Sequence, residues 1–401
     1  MTTTNAMKTM RFVFAAVLLL GGTSVALAQE SVSAKALETI RTKAAESHSD
    51  AVLVYKDDKP ILEWYAGNKT PGPIELMSCT KSIVSVAIGR LIDTGKIKSL
   101  DQPVSDFYPE WKQGKKKLIT IRHLLNHTSG LQNLPNTTIE IYPSPDFVKL
   151  ALAAELSDDP GSKFSYNNKA VNLLAGITRL ACGQRLDEYC RDELFRPMGI
   201  TEYDWILDRA GNPHCMAGLK LTAKDFAKFG QLVLDKGAWN GTRIVSEKWI
   251  EDSLAPGQSL APTCGLLWWR VLSVTNIVID DAKFKELEAA GVDKAFLEKV
   301  LPLKNRVFAN SEDYFKALTE VLGADCRTII NQKVAGKSDS LSRKTYGKLL
   351  GFNANGYLGQ YLVIYPEQHL VAVRQVQSSP KYNARTDGFD DFIDLVRSLG
   401  Q

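Results

Sequence analysis

The chain has six cysteines (79, 182, 190, 215, 264 and 326) but no CxxC pair, which removes the usual zinc-ribbon and dithiol-redox frameworks. Their scatter fits buried single thiols about as well as bridges, and Cys79 is most cheaply a small buried side chain. Charge of one sign is also lacking: 49 Lys and Arg against 45 Asp and Glu leave +4, too balanced to argue for a nucleic-acid partner. No internal repeat or low-complexity tract is visible. After the first 28 residues no apolar run is long enough to cross a bilayer. What remains is an ordinary globular composition, 44% hydrophobic over 401 residues, enough for one large domain or two lobes around a sizeable core.

The first 28 residues are different. Lys8 and Arg11 precede the apolar run FVFAAVLLLGG, and VALAQ supplies small residues at Ala26 and Ala28. This pattern predicts a Sec-type signal peptide cut after Ala28, a mature chain of 29–401 with no stable membrane insertion, and a periplasmic or secreted location. Cleavage would lower the formal charge to about +2 by removing two cations.

In the mature chain, an amphipathic helix is expected at about 33–45, followed by AVLVYK and ILEWYAG as a β-hairpin around Asp57-Asp58-Lys59-Pro60. Helical patterns dominate about 79–252. Strand patterns return in CGLLWWRVL and in QYLVIYPEQHLVAVRQV, and FDDFIDLVRSL closes the chain as a helix. Strands at both ends and helices between them predict an α+β sandwich: an antiparallel sheet built from the two termini, flanked by helices, with an inserted all-helical lobe. The charged segment at about 273–345 reads as a helical insertion, either a cover for a cleft or a structural appendage.

MSCTKSIVS, residues 77–85, carries the first chemistry. A serine hydroxyl needs a base, and a lysine serves only when burial or neighbouring charge leaves it neutral. On a helix, positions i and i+3 share a face, so Ser78 and Lys81 meet, and the helix N-terminus presents N–H groups where an oxyanion would form. Ile83, Val84, Ala87, Ile88, Leu91 and Ile92 make the following helix apolar on most faces, hence buried. Spacing alone does not decide, because Ser378 and Lys381 repeat it; there Pro380 intervenes and no helix can align the pair. A second element is PGSKFSYNN, where Tyr166 and Asn168 form the chain's one Tyr-x-Asn, just before the helical NKAVNLLAGI. A tyrosine beside a lysine can share and pass on a proton, and an amide can hold a substrate carbonyl.

Together these residues resemble the serine β-lactamase-like hydrolases, the group of class C β-lactamases, family VIII carboxylesterases, D-aminopeptidases and nylon-oligomer hydrolases. The matching segments run in family order: SCTKSIVSVAIGRLIDTGKI, SLDQPVSDFYPEW, ITIRHLLNHTSGL, PGSKFSYNN, AGLKLTAKDFAKFG and GQYLVIYPEQHLVAV. The resemblance implies a β-lactamase/transpeptidase-like fold with its site between sheet and helical lobe. It implies that Ser78 is acylated, that Lys81 and Tyr166 handle protons, and that Asn168 contacts substrate. No metal or other cofactor is implied.

One departure bears on substrate. Where β-lactamases carry Lys-Thr-Gly, this chain has GFNANGYLGQ, and no Lys or Arg lies between Lys348 and Arg374. A substrate carboxylate would lose its cationic partner. Asn353, Ala354 and Asn355 are the candidates for substrate contact on this strand, with the backbone of Ala354 or Asn355 as the second oxyanion donor.

His123 and His127, four apart, invite a zinc reading, but the metalloprotease pattern needs Glu at position 124, which is Leu. The resemblance implies that HLLNHTSG is a structural helix end and turn. Trp268, Trp269 and Tyr357 either line a cleft or fill the sheet face, and core packing is the simpler account of each. The expected function is a serine hydrolase acting on a small-molecule ester or amide. β-Lactamase or D-peptidase activity is the alternative enzyme, and a non-catalytic sensor of cell-wall peptides or β-lactams the alternative outside enzymes.

Overall fold

The computed structural model describes residues 33–334, 337, 338 and 340–400, with backbone alone at 384 and 385. The leader expected at 1–28 lies outside the described residues. Strands β1 (Ala51–Lys56) and β2 (Lys59–Tyr65) form the expected hairpin, and its turn holds Asp57 and Asp58 at φ 51° and 61°. Aspartate tolerates this left-handed region better than most residues.

The chain leaves the sheet after β2 and returns in β3 (Trp269–Val278), β4 (Val307–Phe308), β5 (Arg343–Gly356), β6 (Gln360–Tyr365) and β7 (Leu370–Gln375). The order across the sheet is β2-β1-β7-β6-β5-β3-β4, with every pair antiparallel. The N-terminal hairpin therefore closes on the last strand, Ala51 opposite Gln375.

Both faces of this sheet are covered, which is why β1 reads as a continuous apolar run rather than an alternating one. Val52 and Val54 face a core shared with α1 (Ala34–Glu46) and the closing helix Phe392–Arg397. Ala51 and Leu53 face the larger core, which contains α2 (Thr80–Asp93) and the helix Ala223–Leu234. The Ser33 hydroxyl caps α1 by accepting the Ala36 N–H.

Helix α2 is buried almost all round, from Thr80 through Gly89, and Leu91 with them. A helix without a wet face belongs inside the molecule. Truncating Ile83, Ile88 or Leu91 to alanine would cost about 2–5 kcal/mol. At Gly89 a Cβ would lie 2.3 Å from the Trp249 ring, so glycine here permits close helix packing.

The lobe between β2 and β3 adds strands that helical periodicity did not reveal: Ile74–Glu75, Tyr203–Trp205 and Leu219–Leu221 form a small sheet, and Ala238–Trp239 pairs with Thr242–Arg243. They are two or three residues long, too short to leave a period-2 signature. Between β3 and β5, helices Asp281–Ala289, Lys294–Val300, Ser311–Leu322 and Cys326–Val334 bury a separate core that includes Phe284, Leu287 and Leu318. All six cysteines are free thiols.

Candidate active site

Ser78 lies in a 3₁₀ turn, Met77–Cys79, that runs directly into α2. Met77 before it has φ 49°, a left-handed conformation costly for a long side chain. Neighbouring contacts hold it there. Cys79, fully buried, points its Sγ at the Gln360 carbonyl, and the Leu76 N–H donates to the Leu219 carbonyl. Burial pushes the Cys79 thiol pKa far up, which leaves that neighbour inert. Ser78 itself is half-buried.

One helical turn on, Lys81 is 2% exposed, and its Nζ donates to Ser78 Oγ at 3.0 Å and to the Met216 carbonyl at 2.5 Å. No carboxylate forms an ion pair with it among the described residues. Met216 is fixed in turn: its N–H and that of Cys215 both donate to Asn172 Oδ1, from the helix Asn168–Cys182.

Tyr166 sits in the loop before that helix, and Lys81 Nζ is 5.0 Å from its ring centroid. Asn167, between the two residues of the Tyr-x-Asn, tethers the loop. Its Oδ1 caps the helix at the Ala170 N–H and its Nδ2 donates to the Leu131 carbonyl. His127 grips the same loop twice, through its carbonyl to the Ser165 N–H (2.8 Å) and through Nδ1 to the Asn167 N–H (3.2 Å). Its ring centroid is 4.5 Å from that of Tyr166. Burial, reinforced by Lys81, pulls the His127 pKa down to about 3, so the imidazole is neutral.

The opposite wall is the end of β5 with the start of β3. A Cβ on Gly356 would lie 2.6 Å from the Leu76 carbonyl and 3.0 Å from Ser78 N, so strand and turn are in backbone contact. Asn355 faces the crevice and donates from Nδ2 to Asn353 Oδ1 at 3.2 Å. Trp269 stacks on Tyr166, with centroids 6.0 Å apart and planes 25° from parallel. The crevice among Ser78, Lys81, His127, Tyr166, Trp269 and Asn355 has about 10 Å³ of room for solvent, roughly one water.

The structure thus brings Ser78, Lys81, Tyr166 and Asn355 together and leaves others apart. Asn168 is the first residue of its helix, half-buried, and does not line the crevice. Asn353 is buried behind Asn355, and the Ala354 side chain packs into the main core. Of the three aromatic residues expected in the core, Trp268 is buried there and also lines the crevice, Trp269 is only half-buried and lines the crevice, and Tyr357 is 69% exposed. Tyr357 follows Gly356 in a turn where Leu358 takes φ 71° and the buried place, which breaks the strand alternation. Ser378 and Lys381 are exposed in the loop after β7. None of the crevice residues comes from 281–334.

His123 and His127 take separate roles. His123 lies in the helix Ile121–Leu125 and accepts the Thr120 N–H, whereas His127 lies past its end at φ 59°. Reading HLLNHTSG as a helix end and turn was therefore incomplete, since the turn delivers an imidazole to the site. No local pattern marks this role, which depends on the φ of His127 and on a loop about 40 residues further on.

The β-lactamase family model matches residues 36–271, and the chain belongs to that family. It is 27% identical over 255 residues to the 6-aminohexanoate-dimer hydrolase of Paenarthrobacter ureafaciens, which is 57% of this chain and 62% of that one. It is 29% identical over 150 residues to an esterase of Burkholderia gladioli, 33% of this chain and 38% of that one. These matches span less than two thirds of either relative. The crystal structure of a provisionally named β-lactamase from Bacteroides dorei superposes with a TM-score of 0.63 at 18% identity, covering 92% of this chain and 99% of that one. The fold is β-lactamase/transpeptidase-like.

Proposed function

We propose that the protein is a serine hydrolase that cleaves a small ester or amide through an acyl-enzyme on Ser78. The observation that carries this reading is the 3.0 Å contact between the buried Lys81 amine and the half-buried Ser78 hydroxyl. Ser78 Oγ attacks the carbonyl carbon while Lys81 takes its proton. The oxyanion is held by the Ser78 N–H and a backbone N–H from β5, at Ala354 or Asn355, where Gly356 brings strand and turn together. Tyr166 relays the proton to the leaving group as the carbon–oxygen or carbon–nitrogen bond breaks. Water then attacks the acyl carbon and restores the Ser78 hydroxyl.

The substrate class follows from what faces the crevice. Apart from Lys81 its lining carries no charged side chain, and on β5 it is the Asn355 amide, backed by Asn353, that faces it in place of a cation for a substrate carboxylate. Uncharged acyl groups fit this wall better than β-lactams or peptide carboxylates. Of the relatives' names, the esterase agrees with this choice, whereas a 6-aminohexanoate dimer carries an ammonium and a carboxylate at its ends. The leader at 1–28 would deliver the enzyme to the periplasm or the medium, and N-terminal sequencing of exported protein, expected to begin at Gln29, checks it.

The test offers the mature protein a chromogenic ester, a D-amino-acid amide and a chromogenic cephalosporin, beside Ser78→Ala. Ester turnover that disappears in Ser78→Ala is expected. Faster turnover of the cephalosporin would favour β-lactamase activity instead, and binding without turnover of any of the three would favour a sensor.

A further inference from the structure

We infer that His127 is a positioning residue for Tyr166, acting as a neutral imidazole clamp. This rests on the proposed roles of Ser78, Lys81 and Tyr166. His127 accepts the Ser165 N–H at its carbonyl and the Asn167 N–H at Nδ1, so it holds the two backbone amides that flank Tyr166. Its ring packs against Tyr166 at 4.5 Å and edge-on against Phe164 at 6.0 Å, so both aromatic residues of the loop rest on it. No other residue contacts the loop both through backbone and ring in this way among those that line the crevice.

The clamp depends on charge as well as shape. Nδ1 can accept a hydrogen bond only when it carries no proton, which fixes the neutral form with its hydrogen on Nε2. Burial and Lys81 favour the same form, pulling the pKa to about 3. An imidazolium would release the Asn167 N–H. His127 holds a φ of 59° while its carbonyl and ring accept the amides before and after Tyr166. A residue held in a sparsely populated conformation beside a reactive group fits a positioning role.

His127→Phe keeps an aromatic ring but cannot accept the Asn167 N–H. His127→Asn removes the ring yet retains an acceptor close to the Nδ1 position and tolerates positive φ. Ester kcat should fall about tenfold or more in His127→Phe, with KM changed less than about twofold, and His127→Asn should recover part of the loss. In a Tyr166→Phe background, His127→Phe should cost little more, because both act through one group. Equal turnover by folded His127→Phe and wild type, or full additivity with Tyr166→Phe, would overturn the inference. If His127→Phe fails to fold, His127→Asn combined with Tyr166→Phe gives the same test of additivity. Labelling of Ser78 by a fluorophosphonate separates the two claims: an unlabelled wild type removes the Ser78 reading itself, whereas a labelled wild type with unimpaired His127 variants removes only the clamp.

Discussion

Lys81 Nζ lies 3.0 Å from Ser78 Oγ, and the lysine is buried without an ion-pair partner among the described residues. Its other acceptor is the Met216 carbonyl, which brings the amine to the serine from a fixed direction. A buried lysine amine with only neutral partners is an expensive arrangement, kept where the amine has work to do.

Lys81→Ala should therefore lower ester kcat by about 10²- to 10⁴-fold, the range for loss of a positioned proton-transfer group. Lys81→Arg should not restore it, because guanidinium does not give up its proton. Steady-state kinetics on folded variants, checked by circular dichroism, reads both. Activity of Lys81→Arg near wild type would exclude the proton-acceptor role.

Gly356→Ala should cost activity beyond its cost in stability. The added methyl meets backbone atoms, the Leu76 carbonyl and Ser78 N, which cannot swing aside as a side-chain tip can. Thermal denaturation should show about 1–3 kcal/mol of destabilisation. At a temperature where the variant is fully folded, kcat should still be reduced, since strand and nucleophile turn have been pushed apart. A folded variant with wild-type kcat would show that their close approach is dispensable.

Trp269→Ala should broaden substrate choice. The indole stacks on Tyr166 and leaves the crevice room for about one water, so bulky acyl groups have to displace it. The ratio of kcat/KM for a branched-acyl ester to that for an acetyl ester should rise in the variant. An unchanged ratio would place the acyl pocket elsewhere.

How much of this was legible in the sequence differs from residue to residue. Ser78 and Lys81 could be found because the helix rule sets their distance locally, and the apolar pattern of 83–92 indicates burial. The sheet from both chain ends was visible because its β1, β6 and β7 runs are apolar and bounded by turns. His127 was not, because its place at Tyr166 depends on one backbone angle after a helix end and on a loop about 40 residues away in sequence. Asn167 was overlooked beside Asn168 since both follow Tyr166, and only the cap geometry tells them apart. Trp268 and Trp269 both reach the crevice, but they differ by one position at a strand start, which buries Trp268 in the core and leaves Trp269 half-buried.

Acid should destabilise the fold partly through His127. Its folded pKa, about 3, lies below the ordinary 6.5, so between those values the unfolded chain binds a proton that the folded chain refuses. Stability accordingly rises with pH across that window and is lost as pH falls through it. His123 and His214, both lowered chiefly by burial, act in the same direction. Urea unfolding of His127→Asn should show a shallower loss of stability on acidification than wild type. An unchanged slope would mean that the folded protein protonates this imidazole.

The central claim is that Ser78 forms a covalent acyl-enzyme with Lys81 as its base. Mass spectrometry of the mature protein after a short incubation with an activated ester, followed by peptide mapping, tests it most directly. The account predicts one acyl group on the peptide containing Ser78 in wild type, slowed strongly in Lys81→Ala and absent in Ser78→Ala. Turnover of the ester with no adduct at Ser78 under conditions that trap acyl-enzymes, and with undiminished rate in Ser78→Ala, would contradict it.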